Sequence, residues 1–358
     1  MPVSFNGQLK SNEVIAALYN MIISQQVFAD NISGTYSELV DRARVDGSMY
    51  GDTKLYYATD CLFSEEWGKD AEATNLLAID RPPEPKVQSI YLDKFRQIRV
   101  TLDNYMTKRA FADEGTFASF NSVIRGWIGD TKRVFDSTTY NAYIGTVESA
   151  VGKQTQEIDV TTAVGEATGE EAARIEGAVI SQKIADLMVD LKDVSRDYND
   201  NGFLRSNSID DLIFVWNADV VHKIEKRDLP TIYHKDIVDK LGEYVLPGRY
   251  FGSVNAAKKQ GDGATVRSLI EQKIGDNHYF AGELIKTGDE APAGTSYTVN
   301  PKIAFKVMHK SSVPYMSAFE VGTSFFNPRS LTENNYLTWG MNTLDYLANY
   351  PLVTVKLK

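Results

Sequence analysis

The chain has 358 residues, 43% of them hydrophobic, which is enough for one large core or two modest ones. Charged residues make up 24% and leave a net charge of -10, which excludes a disordered chain and argues against a nucleic-acid binder built on a basic stripe. One cysteine, Cys61, excludes an intrachain disulfide and a cysteine-based zinc site.

The opening segment, MPVSFNGQLK, lacks the basic and apolar regions of a signal peptide, so a soluble protein made in the cytoplasm is expected. The apolar stretch at 14–23 is about half a membrane span and is interrupted by Asn20, so no membrane contact is expected. The sequon Asn31-Ile32-Ser33 then counts as chance. Val14, Ile15, Leu18, Ile22 and Val27 fall at helical spacing behind a possible N-cap, Asn12. A short apolar helix near a terminus must dock, on its own domain or on a neighbour.

Residues 47–102 change period. KLYYATDCLF is one candidate strand and KVQSIYLDKFRQIRVTL another. In the second, Ile90, Leu92, Ile98, Val100 and Leu102 share one face, interrupted by Lys94 and Arg96. It far exceeds the usual strand of about 5–6 residues. Pro82, Pro83 and Pro85 stop regular structure just before it. A lone two-stranded ribbon is marginal in water, so this hairpin must lie on another surface.

Two helices are expected over 103–150, with Asp130 as the N-cap of the second. Phe117, Phe120, Ile124 and Ile128 mark the first; Val134, Ile144, Val147 and Val151 mark the other. Residues 152–169 read as an exposed connection. A strong helix follows at 170–196, with Ile175, Val179, Ile184, Leu187, Met188, Leu191 and Val194 on its stripe. LIFVW at 212–216 reads as a buried strand leading into a helix near Ala218. Residues 245–310 are turn-rich, with short strands. The end of the chain, from Ala318, reads as a strand, a loop and one long return.

Chemistry-bearing clusters are sparse. None of His222, His234, His278 and His309 lies three or four residues from another, so each reads as structural and no metal site is assigned. Gly261-Asp262-Gly263 lacks the rest of a phosphate loop. Asp197-Tyr198-Asn199-Asp200-Asn201-Gly202 opens like a calcium loop, but its twelfth position is Ser208 rather than Glu. Asp, Asn and Gly also make helix-ending turns, which is the favoured reading. No catalytic residues and no cofactor are assigned, and an enzyme is not expected.

Taken together, the overlong ribbon, DLIFVWNADVVHKI at 211–224 and the C-terminal run resemble the major capsid proteins of tailed bacteriophages. The resemblance implies an α+β Hong Kong 97-type fold. Its parts would be an N-terminal arm at 1–46, an extended hairpin loop at 47–102, and a peripheral domain with the spine helix at 103–160. An axial domain would follow at 161–313, then return strands at 314–358. Asn217 would cap the helix after the axial strand. The implied function is a self-assembling shell of hexamers and pentamers enclosing double-stranded DNA without sequence-specific contacts, as a virion component. Some members crosslink a loop lysine to a neighbour; nothing marks Lys54 or Lys69 as reactive, and that chemistry is not carried over. The chain shows no long charged helical scaffold region, which implies a separate scaffolding protein, besides a portal, with a decoration protein as an optional addition. Arg81, Lys94, Arg96 and Arg99 are the subunit-interface candidates, because charges on a projecting ribbon need partners. Two alternatives stay open: an encapsulin-type compartment shell, and a monomeric calcium-binding or ligand-binding module.

Overall fold

A computed structural model describes residues 38–45, 53–62, 64, 81–103, 114–224, 242–255, 289–290 and 296–358. The arm helix expected at 12–28, Lys69, His234, His278 and the 261–263 turn lie outside the described residues.

The elements run α1 (Glu38–Arg42), β1 (Arg44–Val45), β2 (Thr53–Ala58), β3 (Lys86–Asp103), α2 (Glu114–Thr146), β4 (Thr155–Ile158), α3 (Val160–Val164) and α4 (Gly169–Lys192). Then come β5 (Leu212–Asn217), α5 (Ala218–Ile224), β6 (Gly242–Leu246), β7 (Gly252–Asn255), β8 (Asp289–Glu290) and β9 (Ser296–Val299). The chain closes with β10 (Ile303–His309), β11 (Tyr315–Asn327), β12 (Thr332–Asn342) and β13 (Leu352–Leu357). They form two five-stranded sheets, in the orders β4-β13-β10-β5-β6 and β1-β11-β12-β3-β2, and a small sheet β7-β9-β8.

The first sheet is the folding core. Every residue of β5 is buried, as are the first six of β10. Alternation sends Ile213, Val215 and Met308 to one face, against Tyr140, Tyr143, Ile144 and Val147 of α2 and its exit. The other face carries Leu212, Phe214, Trp216, Phe305 and Val307, packed on Ile180, Ile184, Leu187, Met188 and Leu191 of α4. A helix therefore covers each side, which is why LIFVW reads as a continuous apolar run. Asn217 ends the strand as expected: its Oδ1 accepts from the Asp219 N–H at 3.1 Å, and its Nδ2 donates to the Ile303 carbonyl at 2.9 Å.

Four expectations are corrected. One 33-residue helix, α2, replaces the two expected over 103–150, and Asp130 lies inside it rather than at a cap. The Gly129-Asp130 pair looks like punctuation, but packing of the downstream turns on the core outweighs its low helix propensity. The 152–169 connection contains β4, paired in parallel with β13, and α3, whose N-cap Asp159 accepts from the Thr162 N–H at 2.9 Å. The β4 pairing is long-range in sequence and leaves no local signature. The C-terminal run is not one return: β12 pairs between β11 and β3, whereas β13 joins the core sheet. Val194, placed on the α4 stripe, lies past the helix end and is exposed.

Gly145, near the end of α2, permits a close approach. A Cβ there would sit 1.9 Å from the Tyr250 carbonyl oxygen. The 248–250 turn seals the α2 side of the core at this point.

Candidate assembly surface

The second sheet is built differently. The 18-residue β3 serves two partners in turn: 86–91 pair with β2, and 92–103 pair with β12. Its even face is the one expected from sequence. Ile90 and Leu102 are buried and Leu92, Ile98 and Val100 half-buried. That face is fastened to α2. Phe135 and Trp339 meet edge to face at 5.9 Å between ring centres, and the Arg96 guanidinium lies 5.5 Å from the Phe135 ring centre. Lys132, itself buried, pairs with Asp136 at 3.0 Å and reaches Glu320 of β11 at 3.5 Å. Tyr315 donates to Asp136 at 2.6 Å, so the buried carboxylate is engaged from two elements.

The odd face was missed from sequence. Val87, Tyr91 and Phe95 recur every fourth residue on it, and strand register sets Tyr57 opposite Val87 and Leu55 opposite Ser89. Two strands away, Phe325 lies on the same face through Asn334 and Thr101. These side chains stand in solvent: Tyr57 is 64% exposed, Phe95 54% and Phe325 62%. Between them runs a polar ladder, with Gln97 donating to Thr338 at 3.0 Å and Thr101 to Asn334 at 2.6 Å. The signal was legible in the i, i+4, i+8 apolar spacing of β3, but the even face drew the reading.

The four interface candidates distribute unevenly. Arg81 is exposed just ahead of β3, and Lys94 and Arg99 are exposed along it. Arg96 is half-buried against Phe135 of its own subunit. Lys54 sits in β2 opposite Ile90.

The hairpin root meets two loops of the same subunit. Asp60, just past β2, accepts from Arg196 Nη1 at 2.6 Å and from the Leu204 N–H at 2.9 Å. These bonds hold its carboxyl below the usual range, the Leu204 amide contributing most. Arg205 donates to the Thr59 carbonyl at 2.5 Å and to Asn349 Oδ1 at 3.1 Å. Gln88 donates to the Tyr346 carbonyl at 2.9 Å and accepts from the Ala348 N–H at 3.0 Å.

The segment at 197–202 is a structural turn. Asp197 pairs with Lys153 at 2.8 Å. The Asn199 side chain bonds Phe203 twice, donating to its carbonyl at 2.7 Å and accepting from its N–H at 2.9 Å. Asp200 accepts from Ser149 and Gln154, each at 2.6 Å, and from the Tyr346 hydroxyl. Gly202 closes the turn at φ +67°. Among the described residues no group of three or more His, Cys, Asp or Glu side chains is arranged to hold a metal ion. His309 is stacked on Tyr350 at 4.4 Å and accepts from the Ser311 N–H at 3.1 Å. No described helix is long and apolar enough to cross a membrane.

A family model describing the Phi29-like phage major capsid protein matches residues 5–350. The fold is similar to the capsid structure of Staphylococcus phage Andhra, at 7% identity and a TM-score of 0.66, over 93% of this chain and 87% of that one. It is also similar to a chain in the structure of the head fibre and inner core protein of native bacteriophage P68 (11% identity, TM-score 0.63, 93% and 87% covered). A third likeness is the asymmetric unit of the bacteriophage PhiM1 mature capsid (10%, 0.52, 93% and 90%). No curated protein matches. The two-helix-covered core sheet, the overlong ribbon and the spine helix α2 thus form the Hong Kong 97-type arrangement. The chain belongs to the Phi29-like phage major capsid protein family, and it is a structural shell subunit of a tailed-phage head rather than an enzyme.

Proposed function

We propose that the odd face of the ribbon sheet is the surface through which this subunit joins its neighbours. The head it builds is icosahedral, made of hexamers and pentamers. The observation that carries this reading is the exposed aromatic row of Tyr57, Tyr91, Phe95 and Phe325 on a sheet whose opposite face is fastened to α2. Apolar area of this kind is stabilising only when covered, and a shell offers cover at every repeat. Arg81 and Arg99 flank the row, and Lys94 projects from the other face of the same strand; all three are exposed and supply contacts that fix register between subunits. Arg96 acts there indirectly, by seating the ribbon on Phe135. The acidic balance of 48 against 38 charged groups suits a container that holds double-stranded DNA without gripping it. Assembly proceeds in the host bacterial cytoplasm with a separate scaffolding protein and a portal, and the finished head is open to a decoration protein.

The test is Phe95→Glu combined with Phe325→Glu. Both side chains are exposed, so the subunit should keep its unfolding temperature, with stability changed by about 0.5 kcal/mol or less. Closed shells should disappear from negative-stain images and light scattering. Shells at wild-type yield would sink the assignment of this face.

A further inference from the structure

A ribbon that joins a neighbour through its face must be held at a defined angle to its own subunit. Part of the ribbon is seated by a small apolar cluster of Ile90, Met316 and Leu347, with Tyr56 and Tyr350 against it. Beyond Tyr56 only Ala58 of β2 is buried, and packing thins. An open cleft of about 380 Å³ separates the end of β2 and the start of β3 from Asn201 and the 347–350 loop. Close packing therefore does not fix the hairpin root. Polar bonds cross the gap instead.

Gln88 supplies two of them, to Tyr346 and Ala348; the rest come from one turn. Ser195 and Arg205 bridge each other in antiparallel fashion, each N–H donating to the other's carbonyl at 3.0 Å, which closes 195–205 into a loop. Arg196 also donates to the Gly202 carbonyl at 2.7 Å, so its guanidinium is fixed before it reaches Asp60. The hairpin offers Thr59, Asp60 and Lys86; the last lies 5.4 Å from the Phe203 ring centre and 3.5 Å from the Asn201 carbonyl. Both oxygens of Asp60 are engaged, one by a backbone N–H and one by an arginine, and its side chain is only 13% exposed. Charge-assisted bonds in such a partly covered site are the strong kind. This is the same Asp- and Asn-rich segment whose sequence resembles a calcium loop; its tight closure supports two arginines rather than a metal ion.

We propose that the 195–205 turn is a latch that sets the angle of the extended hairpin for assembly, with Asp60 as its positioning residue. The proposal rests on the ribbon face being the inter-subunit surface. Asp60 touches no neighbour itself in this role. It acts by holding Thr59 and the end of β2 against Arg196 and Arg205, which spares the ribbon the entropy of being ordered at each docking event.

The experiment compares Asp60→Ala, Asp60→Asn and Asp60→Glu with wild type. Hydrogen exchange is read over 53–60 and over β5 in the unassembled subunit, and closed-particle yield by sedimentation. Asp60→Ala should speed exchange over 53–60 by about tenfold, leave β5 unchanged and lower particle yield. Asp60→Asn keeps an acceptor for Leu204 and should fall between; Asp60→Glu should restore part of the yield. If Asp60→Ala disturbs β5 as well, Asp60→Asn decides. Unchanged exchange over 53–60 overturns the latch. Faster exchange with wild-type yield and particle shape overturns its role in assembly. The face reading fails separately, through normal shells from the Phe95→Glu, Phe325→Glu subunit, and that result leaves the exchange data standing.

Discussion

The two five-stranded sheets of this subunit handle apolar surface in opposite ways. The β4-β13-β10-β5-β6 sheet is covered on both faces, by α2 and by α4, and Phe305 at its centre has no exposure. Among the described residues, the β1-β11-β12-β3-β2 sheet is packed on one face, and on the other Tyr57, Phe95 and Phe325 are more than half exposed. The first uses burial to fold the chain. The second, on the proposed function, withholds burial until other copies arrive. A shell protein needs both, because a subunit that satisfied all its apolar surface alone would have no reason to assemble.

The comparison breaks most sharply at the core. Phe305 completes a triangle of rings with Phe214, stacked at 5.7 Å, and Trp216, tilted at 4.8 Å. Phe305→Ala should cost about 3–5 kcal/mol and deplete soluble subunit, in contrast to the exposed Phe95. Chemical denaturation of the two variants side by side measures the difference.

The seam between the sheets is the next target. Asp200 gathers Ser149 from the exit of α2, Gln154 from the lead into β4, and Tyr346 from the β12–β13 connection. Burial, more than the neighbouring Asp200, pushes the Tyr346 hydroxyl up in pKa, so it stays a donor at ordinary pH. Asp200→Ala strands three donors and should cost about 2 kcal/mol. Hydrogen exchange should loosen on both sides of the seam, at β4 and at the hairpin root. Loosening confined to one side would mean that the sheets are not joined there.

A smaller effect concerns an exception within the core sheet. Lys306 is fully buried, and its ammonium donates to the Val147 carbonyl at 2.5 Å, beyond the end of α2. Burial pushes it from 10.5 down to about 7; Glu148 opposes that shift and Lys356 adds to it. Between about 7 and 10.5 the unfolded chain binds the proton and the folded chain does not, so this group favours folding increasingly as pH rises through that window. Below it the buried charge is a standing cost. Lys306→Met should therefore gain most over wild type, or lose least, at pH 7 and below, and compare less favourably near pH 10. Thermal unfolding of both proteins across that range checks the sign, and a pH-independent difference would refute it.

Sequence reading was strongest where periodicity and burial coincide. LIFVW announces itself as a continuous apolar run because both its faces are buried, and the α4 stripe from Ile184 to Leu191 and the even face of β3 do so because the period of the element equals the period of its buried face. Asn217 was legible for the same kind of reason, since its cap bond is local. The single helix through Asp130 was not legible. Local propensity there argues for a break, and only docking on the distant strands keeps the helix whole.

By itself, then, the sequence determined the apolar core strand, the strong helix behind it, the overlong ribbon and the resemblance to a capsid subunit. Tertiary structure alone decided the rest. It placed β13 in the core sheet and β12 in the ribbon sheet, left Tyr57, Phe95 and Phe325 more than half exposed, and brought Asp60 to Arg196 across 136 positions of chain. Periodicity records which face of an element is apolar, but not what covers it. Long-range pairing depends on where two distant segments meet in space, and no local pattern of residues carries that information.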